Sequence, residues 1–183
     1  MRHIIAITGA SGIIYGIELL ANIPEKDEKI LIMSENAKLL LKKETDFSLK
    51  KIYSLANEVY ENSQLTAPVA SGSNPFDTMV ISPCSASTFS KIACGISDNL
   101  ITRTAAVAIK ERRKLIIVPR ETPLSTIHLQ HLTTLSRLGI IVFLPSPPFY
   151  PKPETVSDIV NFVTGRTLDL MGIKNELYRR WER

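Results

Sequence analysis

The sequence predicts an α/β fold in one domain, a doubly wound parallel sheet with helices on both faces. Three observations carry that expectation. At 183 residues the chain has the length of one domain, enough to bury about two thirds of its unfolded surface around a single core. Strand-length apolar runs recur at residues 3–8, 29–33, 77–82, 114–119 and 139–144, with helix-period stretches between most of them. The runs are continuously apolar rather than alternating, as strands covered on both faces are.

In chain order, HIIAIT opens the first strand and leads through a glycine turn to a helix over 13–22. The second strand, 29–33, is followed by a helix over 35–43. Residues 57–76 break the rhythm, running through polar and small residues to ASGSNP. The third strand precedes helices over 85–93 and 98–113, and the fourth precedes a helix over 124–138. After the fifth strand, PSPPFYPKP at 145–153 is a proline-stiffened loop that continues neither strand nor helix. A helix over about 155–170 closes with Gly172 beyond it, and a basic tail, YRRWER, ends the chain. No internal repeat or dividing linker is visible, so residues 1–183 read as one domain.

Composition removes several function classes. Hydrophobic residues make up 44% and charged residues 22%, which excludes disorder and fibrous repeats. No apolar run approaches the roughly 20 residues of a membrane span, and HIIAIT begins with no signal-peptide pattern before it. The expected location is the cytoplasm, with no membrane partner. The net charge of +4 is spread along the chain, clustering only at KERRK and the tail, so anionic small molecules fit better than nucleic acid. Cys84 and Cys94 form neither a disulfide framework nor a C-x-x-C pair, and both are expected as buried free thiols. His128 and His131 stand i, i+3 on a helix with no third ligand placed by spacing, so no metal site is expected and core or interface roles are.

In an open α/β sheet, ligands bind beyond the carboxyl ends of the strands. Here those ends carry Thr8-Gly9-Ala10-Ser11-Gly12, then Ser34, then Pro83-Cys84-Ser85-Ala86-Ser87-Thr88, then Arg120-Glu121-Thr122, and finally the loop bearing Tyr150. Small residues admit a ligand close to the backbone, and free N–H groups at a helix start attract an anion, so the two turns GASG and SAST can cradle one phosphorylated cofactor. Each turn alone reads equally well as a helix cap. A dinucleotide enzyme fits less well: Gly9, Gly12 and Gly16 do not give G-x-G-x-x-G, and Ser34 stands where a ribose-binding carboxylate is needed, with Glu35 one residue late. A mononucleotide such as FMN suits that serine. No G-x-S-x-G elbow occurs, which disfavours a hydrolase.

Arg103 and Lys110 are seven residues apart on one helix and share a face, so one anion can meet both, unless the face is simply solvated. Arg120 and Glu121 lie in a turn stiffened by Pro119 and Pro123, where packing needs no charge, and read as functional.

Taken together, ITGASGIIYG, the long segment from ISPCSASTFSKIACGISDN through IVPRETPLS to its leucine-rich helix, and PSPPFYPKPETVSDIVNFVTGRTLDLMGI resemble the UbiX/Pad1 flavin prenyltransferases over nearly the whole chain. The resemblance implies a flavodoxin-like flavoprotein domain and a homo-oligomer, commonly a dodecamer, with FMN held between subunits. It implies transfer of a dimethylallyl group from dimethylallyl phosphate to N5 and then C6 of reduced FMN, without metal, making the prenylated flavin used by UbiD-type decarboxylases. By motif, Gly9, Ala10, Ser11, Ser34, Ser85, Ala86, Ser87, Thr88, Arg103 and Arg120 are implied to bind the flavin, with Ser11 near N5. Lys110, Tyr150 and Arg166 are implied to grip the prenyl phosphate, with Glu44 on the same side. Ser11, Glu44, Lys110 and Glu121 are the implied catalytic set, Glu121 helping a proton leave. Two departures stand out: Asn74 occupies a place where relatives often carry a bulky aromatic, and Ala86-Ser87-Thr88 replaces a frequent MGT. SASTFSKIACGISDN also resembles the flavin-dependent cysteine decarboxylases, but those use a histidine after the first helix, and no histidine lies between His3 and His128. A non-catalytic FMN-binding subunit is the remaining alternative.

Overall fold

The computed structural model describes residues 1–181; Glu182 and Arg183, the end of the basic tail, lie outside the described residues. Six strands form one all-parallel sheet: β1 (Arg2–Ile7), β2 (Glu28–Met33), β3 (Glu58–Glu61), β4 (Thr78–Cys84), β5 (Lys114–Pro119) and β6 (Ile141–Val142), in the order β3-β2-β1-β4-β5-β6. The helices are α1 (Ile13–Asn22), α2 (Glu35–Glu44), α3 (Leu49–Tyr53), α4 (Ala86–Ala93), α5 (Leu100–Lys110), α6 (Thr126–Arg137) and α7 (Val156–Met171). No described helix is long and apolar enough to cross a membrane.

Period-2 alternation divides the buried strand residues between two cores. Ile4, Ile30, Met79, Ile81 and Ile117 pack on one face with Phe89 of α4, Ala105 of α5 and Leu135 of α6. Ile5, Ile7, Leu31, Val80 and Val118 pack on the other with Ile17 and Leu20 of α1, Leu41 of α2 and Leu168 of α7. Burial on both faces is the reason the strand sequences run apolar without a break. The helices begin where polar side chains cap them: Ser34 accepts from the Ala37 N–H, and Asn99, Ser125 and Thr155 open capping boxes at α5, α6 and α7. Gly172, at φ 87°, ends α7 in the left-handed conformation.

The expected strands and helices are present within a few residues, with two additions and some trimming. The stretch 57–76 holds the edge strand β3, which pairs only with β2 and is half-buried throughout, so it lacks the apolar run by which the inner strands announce themselves. The five-residue α3 is too short to show a helical period. The helix expected over 98–113 runs only from Leu100 to Lys110, and the fifth expected strand shrinks to Ile141–Val142. Cys84 is buried, and burial pushes its thiol well above the usual range. Cys94, expected buried, is exposed at the C-terminus of α4, with Sγ 3.6 Å from Nε2 of His131.

Strand order reverses between β1 and β4, and a single buried threonine ties their ends. Thr8 Oγ1 donates to the Pro83 carbonyl at 2.8 Å and accepts from the Ser85 N–H at 2.8 Å. Thr8→Val keeps the shape but leaves the Ser85 N–H unpaired, a loss of about 1–3 kcal/mol. Chemical denaturation should show a lower midpoint at unchanged slope.

His3 is fully buried in β1, its Nε2 3.6 Å from Asp27 Oδ2, and neither ring nitrogen makes a hydrogen bond. Burial lowers its pKa more than the Asp27 charge raises it. The folded state therefore binds fewer protons than the unfolded chain below about pH 6.5. The stabilisation is complete above that pH and is lost as pH falls. Thermal midpoints of the wild type should drop between pH 7 and 5 more steeply than those of His3→Gln; equal slopes would contradict this account.

Candidate functional site

The carboxyl ends of β1, β2, β4 and β5 form one continuous rim, because each strand is joined to its neighbour just beyond the sheet. Ser34 N donates to Ile7 O at 3.0 Å, Thr8 N to Pro83 O at 3.2 Å and Arg120 N to Cys84 O at 3.1 Å. Gly9, Ala10 and Ser11 therefore stand between Ser34 on one side and the Ser85–Thr88 turn on the other, with Arg120 and Glu121 next in line. Ser11, Ser87, Arg120 and Glu121 are solvent-exposed, Ser34 and Ser85 half-buried, and Ala10 buried.

The two turns expected to cradle a phosphate differ in their electrostatics. At α1 the N-terminal position is Gly12, φ 95°, a backbone shape that L side chains rarely adopt. Its N–H and that of Ile13 both donate to Glu44 Oε2, at 2.8 and 3.1 Å. The carboxylate at the end of α2 thus fills the anion position of α1, which corrects the expectation that GASG holds a phosphate through its helix start. At α4 the first turn is open. Ser85 Oγ accepts from the Thr88 N–H at 3.3 Å and lies 2.9 Å from Thr88 Oγ1, while the Ala86 and Ser87 N–H groups have no partner among the described residues. Two free N–H groups, the hydroxyls of Ser34 and Ser85 and a guanidinium at Arg120 that donates no hydrogen bond among the described residues fit the phosphate end of a mononucleotide.

Tyr15 was not anticipated from the sequence. It lies in the first turn of α1, half-buried; burial raises its phenol pKa and the nearby Arg120 charge opposes that shift. An aromatic on an amphipathic helix resembles core until Arg120 is placed beside it.

The remaining expected residues do not join this rim within one chain. Lys110 ends α5 where the strands begin, four residues before β5, and a six-residue strand separates that edge from Arg120 by about 20 Å. Lys110 Nζ pairs with Glu111 at 2.8 Å, and Arg103 Nε donates to Ala70 O at 3.1 Å, so the two do not converge on one anion. Their helix is wrapped by the segment carrying Asn74, whose carbonyl accepts from Arg113 at 3.0 Å. Tyr150 and Arg166 lie with the C-terminal tail: the Tyr150 ring meets Trp181 edge-on at 5.0 Å, and Arg166 contacts Asp169 and Tyr178. The rim, the outer face of α5 and the tail are thus three separate clusters. Among the described residues no three His, Cys, Asp or Glu side chains are grouped to hold a metal.

Comparison with known proteins shows the family and the fold. The sequence profile of the Flavoprotein family matches residues 1–168. The flavin prenyltransferase UbiX of Methanocaldococcus jannaschii is 52% identical over 181 residues, covering 99% of this chain and 98% of the relative. The crystal structure of AnUbiX (PadA1) in complex with FMN and dimethylallyl pyrophosphate superposes with a TM-score of 0.97 at 40% identity, covering 100% of this chain and 97% of that one. A dodecameric FMN-dependent UbiX-like decarboxylase from Escherichia coli O157:H7 gives 0.97 at 41% identity with full coverage of both chains. The chain belongs to the UbiX/Pad1 flavin prenyltransferase family of flavoproteins.

Proposed function

We propose that the chain joins a dimethylallyl group from dimethylallyl phosphate to N5 and C6 of reduced FMN, with release of inorganic phosphate and no net redox change. The observation that carries this reading is the rim, where free phosphate-binding donors stand beside two carboxylates, Glu44 and Glu121, and the hydroxyl of Ser11. A relative that binds FMN and dimethylallyl pyrophosphate on the same fold supports it. Bound reduced flavin would supply the nucleophilic ring and the donor the dimethylallyl group, while the chain's residues bind, orient and move the proton.

Gly9, Ala10 and Ser11 let the ring approach the β1 end closely, while Ser34, the turn from Ser85 to Thr88 and Arg120 hold the FMN phosphate. Glu121, whose Oε1 meets only the Thr122 N–H at 3.1 Å, is free to accept the proton released when the second carbon bond forms. Glu44 keeps its place through the α1 N–H groups and holds the first turn in shape. As the prenyl C–O bond breaks, negative charge accumulates on the departing phosphate, and Lys110, Tyr150 and Arg166 stabilise it from fixed positions. Cations of this kind take over the role that a divalent ion has in many phosphate-binding enzymes.

Because Lys110 lies at the opposite edge of its own sheet and Arg103 is engaged with the Ala70 carbonyl, a second copy of the chain brings them to the rim. An assembly fits the surface: Ile127, Leu129, Phe149 and Val156 are large apolar side chains left exposed, Phe149 by 79% and Val156 by 76%. The dodecamer described for the Escherichia coli relative is the oligomer we assign here. The product serves a UbiD-type decarboxylase, in the cytoplasm.

Anaerobic incubation of the full-length protein with reduced FMN, dimethylallyl phosphate and EDTA tests the reading by the mass of the flavin. A flavin heavier by one dimethylallyl group, with the yield falling by at least an order of magnitude in Glu121→Gln, is expected. Unchanged flavin, or turnover that needs added magnesium, would contradict it.

A further inference from the structure

The C-terminal tail turns back along α7 and converges on one carboxylate. Asp169 Oδ1 accepts from Arg180 Nη2 at 2.9 Å and from Asn175 Nδ2 at 3.0 Å. Its Oδ2 accepts from Tyr178 OH at 2.5 Å, Arg180 Nη1 at 3.0 Å and Arg166 Nη1 at 3.3 Å. Burial pushes the Asp169 carboxyl up, but the hydrogen bonds from Arg180 and Tyr178 and the two guanidinium charges outweigh it and hold the group below the usual carboxylate range. The tail packs this closely because α7 has a glycine beneath it: a Cβ at Gly165 would stand 2.5 Å from the Tyr178 ring and 2.7 Å from Asn175 Oδ1.

Arg166 is held on one side only. Both of its contacts, to Asp169 and to Tyr178, use Nη1, while Nε and Nη2 have no partner among the described residues. That free edge is the fork that binds phosphate through two parallel hydrogen bonds. An isolated Asp169–Arg166 pair would be neutral and a poor anion receptor. Arg180, which grips both oxygens of Asp169, supplies the compensating charge, so two guanidinium groups and one carboxylate leave the cluster at +1.

We propose that Asp169 is a positioning residue for the prenyl-donor phosphate: it fixes Arg166 by one nitrogen with the free edge presented, and Arg180 keeps the cluster cationic. The inference rests on the reading of Arg166 as a donor-phosphate group, and it extends that role to two residues that do not touch the phosphate themselves. The tail is thereby a part of the donor site, and its Trp181, packed on Tyr150 at 5.0 Å, is carried by the same anchor.

The test is steady-state kinetics of the intact oligomer at saturating reduced FMN, with donor concentration varied, for Asp169→Asn, Arg180→Gln, Arg180→Lys and Arg166→Ala, and with FMN affinity and melting temperature measured in parallel. Arg180 is exposed, so its variants report even where a change at Asp169 lowers the yield of folded protein. Asp169→Asn and Arg180→Gln should each raise the donor KM by about tenfold, the loss of one charge-assisted contact, with kcat and FMN affinity nearly unchanged and with Arg180→Lys recovering part of the loss. If Arg166→Ala raises the donor KM while Asp169→Asn and Arg180→Gln do not, the positioning role is overturned and the donor site stands. If Arg166→Ala also leaves the donor KM unchanged, the donor site and the inference fall together. A parallel loss of kcat, FMN affinity and melting temperature in the Asp169 and Arg180 variants would reduce the cluster to a structural anchor.

Discussion

The Thr8 hydroxyl, buried between β1 and β4, sets the geometry on which the rest of the site depends. The two strands separate the chain into its two halves, and their parallel pairing alone leaves the ends free to splay. By donating to Pro83 and accepting from Ser85, one side chain closes that gap and fixes the start of α4 against the GASG turn. Ser34 and Arg120 follow from the next links in the same row, each through a backbone hydrogen bond to the neighbouring strand end. A row of donors at the point where strand order reverses is the general ligand site of open α/β sheets, and here it is built on the hydrogen bonds that join the strand ends.

Charge then divides the rim into regions. Glu44 satisfies the N–H groups and dipole of α1, so an incoming phosphate finds its free N–H donors at α4 and its cation at Arg120. The proposed donor side uses the opposite device, a carboxylate, Asp169, surrounded by more positive charge than it carries. In both places an acid serves to position something else, the exposed Glu44 the first turn of α1 and the half-buried Asp169 the guanidinium of Arg166. In the assembly proposed above, Lys110 and Arg103 reach the rim from another copy of the chain, which gives the exposed apolar side chains of α6 and the proline loop a part in the chemistry.

The inner strands and the strand-end turns were legible in the sequence because each has a local cause: burial on both faces makes β1, β2, β4 and β5 uniformly apolar, and small and hydroxyl residues follow them where the chain turns into a helix. The edge strand β3 was not, since EVYE has one neighbour and a wet side. The capture of the α1 start by Glu44 was hidden for a different reason, a contact across 32 residues that no period or turn motif encodes. Asp169 reads as an ordinary acid on an amphipathic helix until the tail folds back, and Tyr15 as core until Arg120 lies near it. Cys94 looked like its buried counterpart because thiols are usually inside, whereas its helix ends at the surface.

The central claim is that each active site takes its rim from one chain and Lys110 from another. It is tested most directly by co-assembling two inactive variants, Glu121→Gln and Lys110→Ala, carrying different tags, and measuring prenyl transfer in oligomers purified through both tags. The account predicts that activity absent from either variant alone returns in the mixed oligomer, because some sites there combine an intact Glu121 with an intact Lys110. Mixed oligomers as inactive as their parents would place both residues in one chain's site and contradict it.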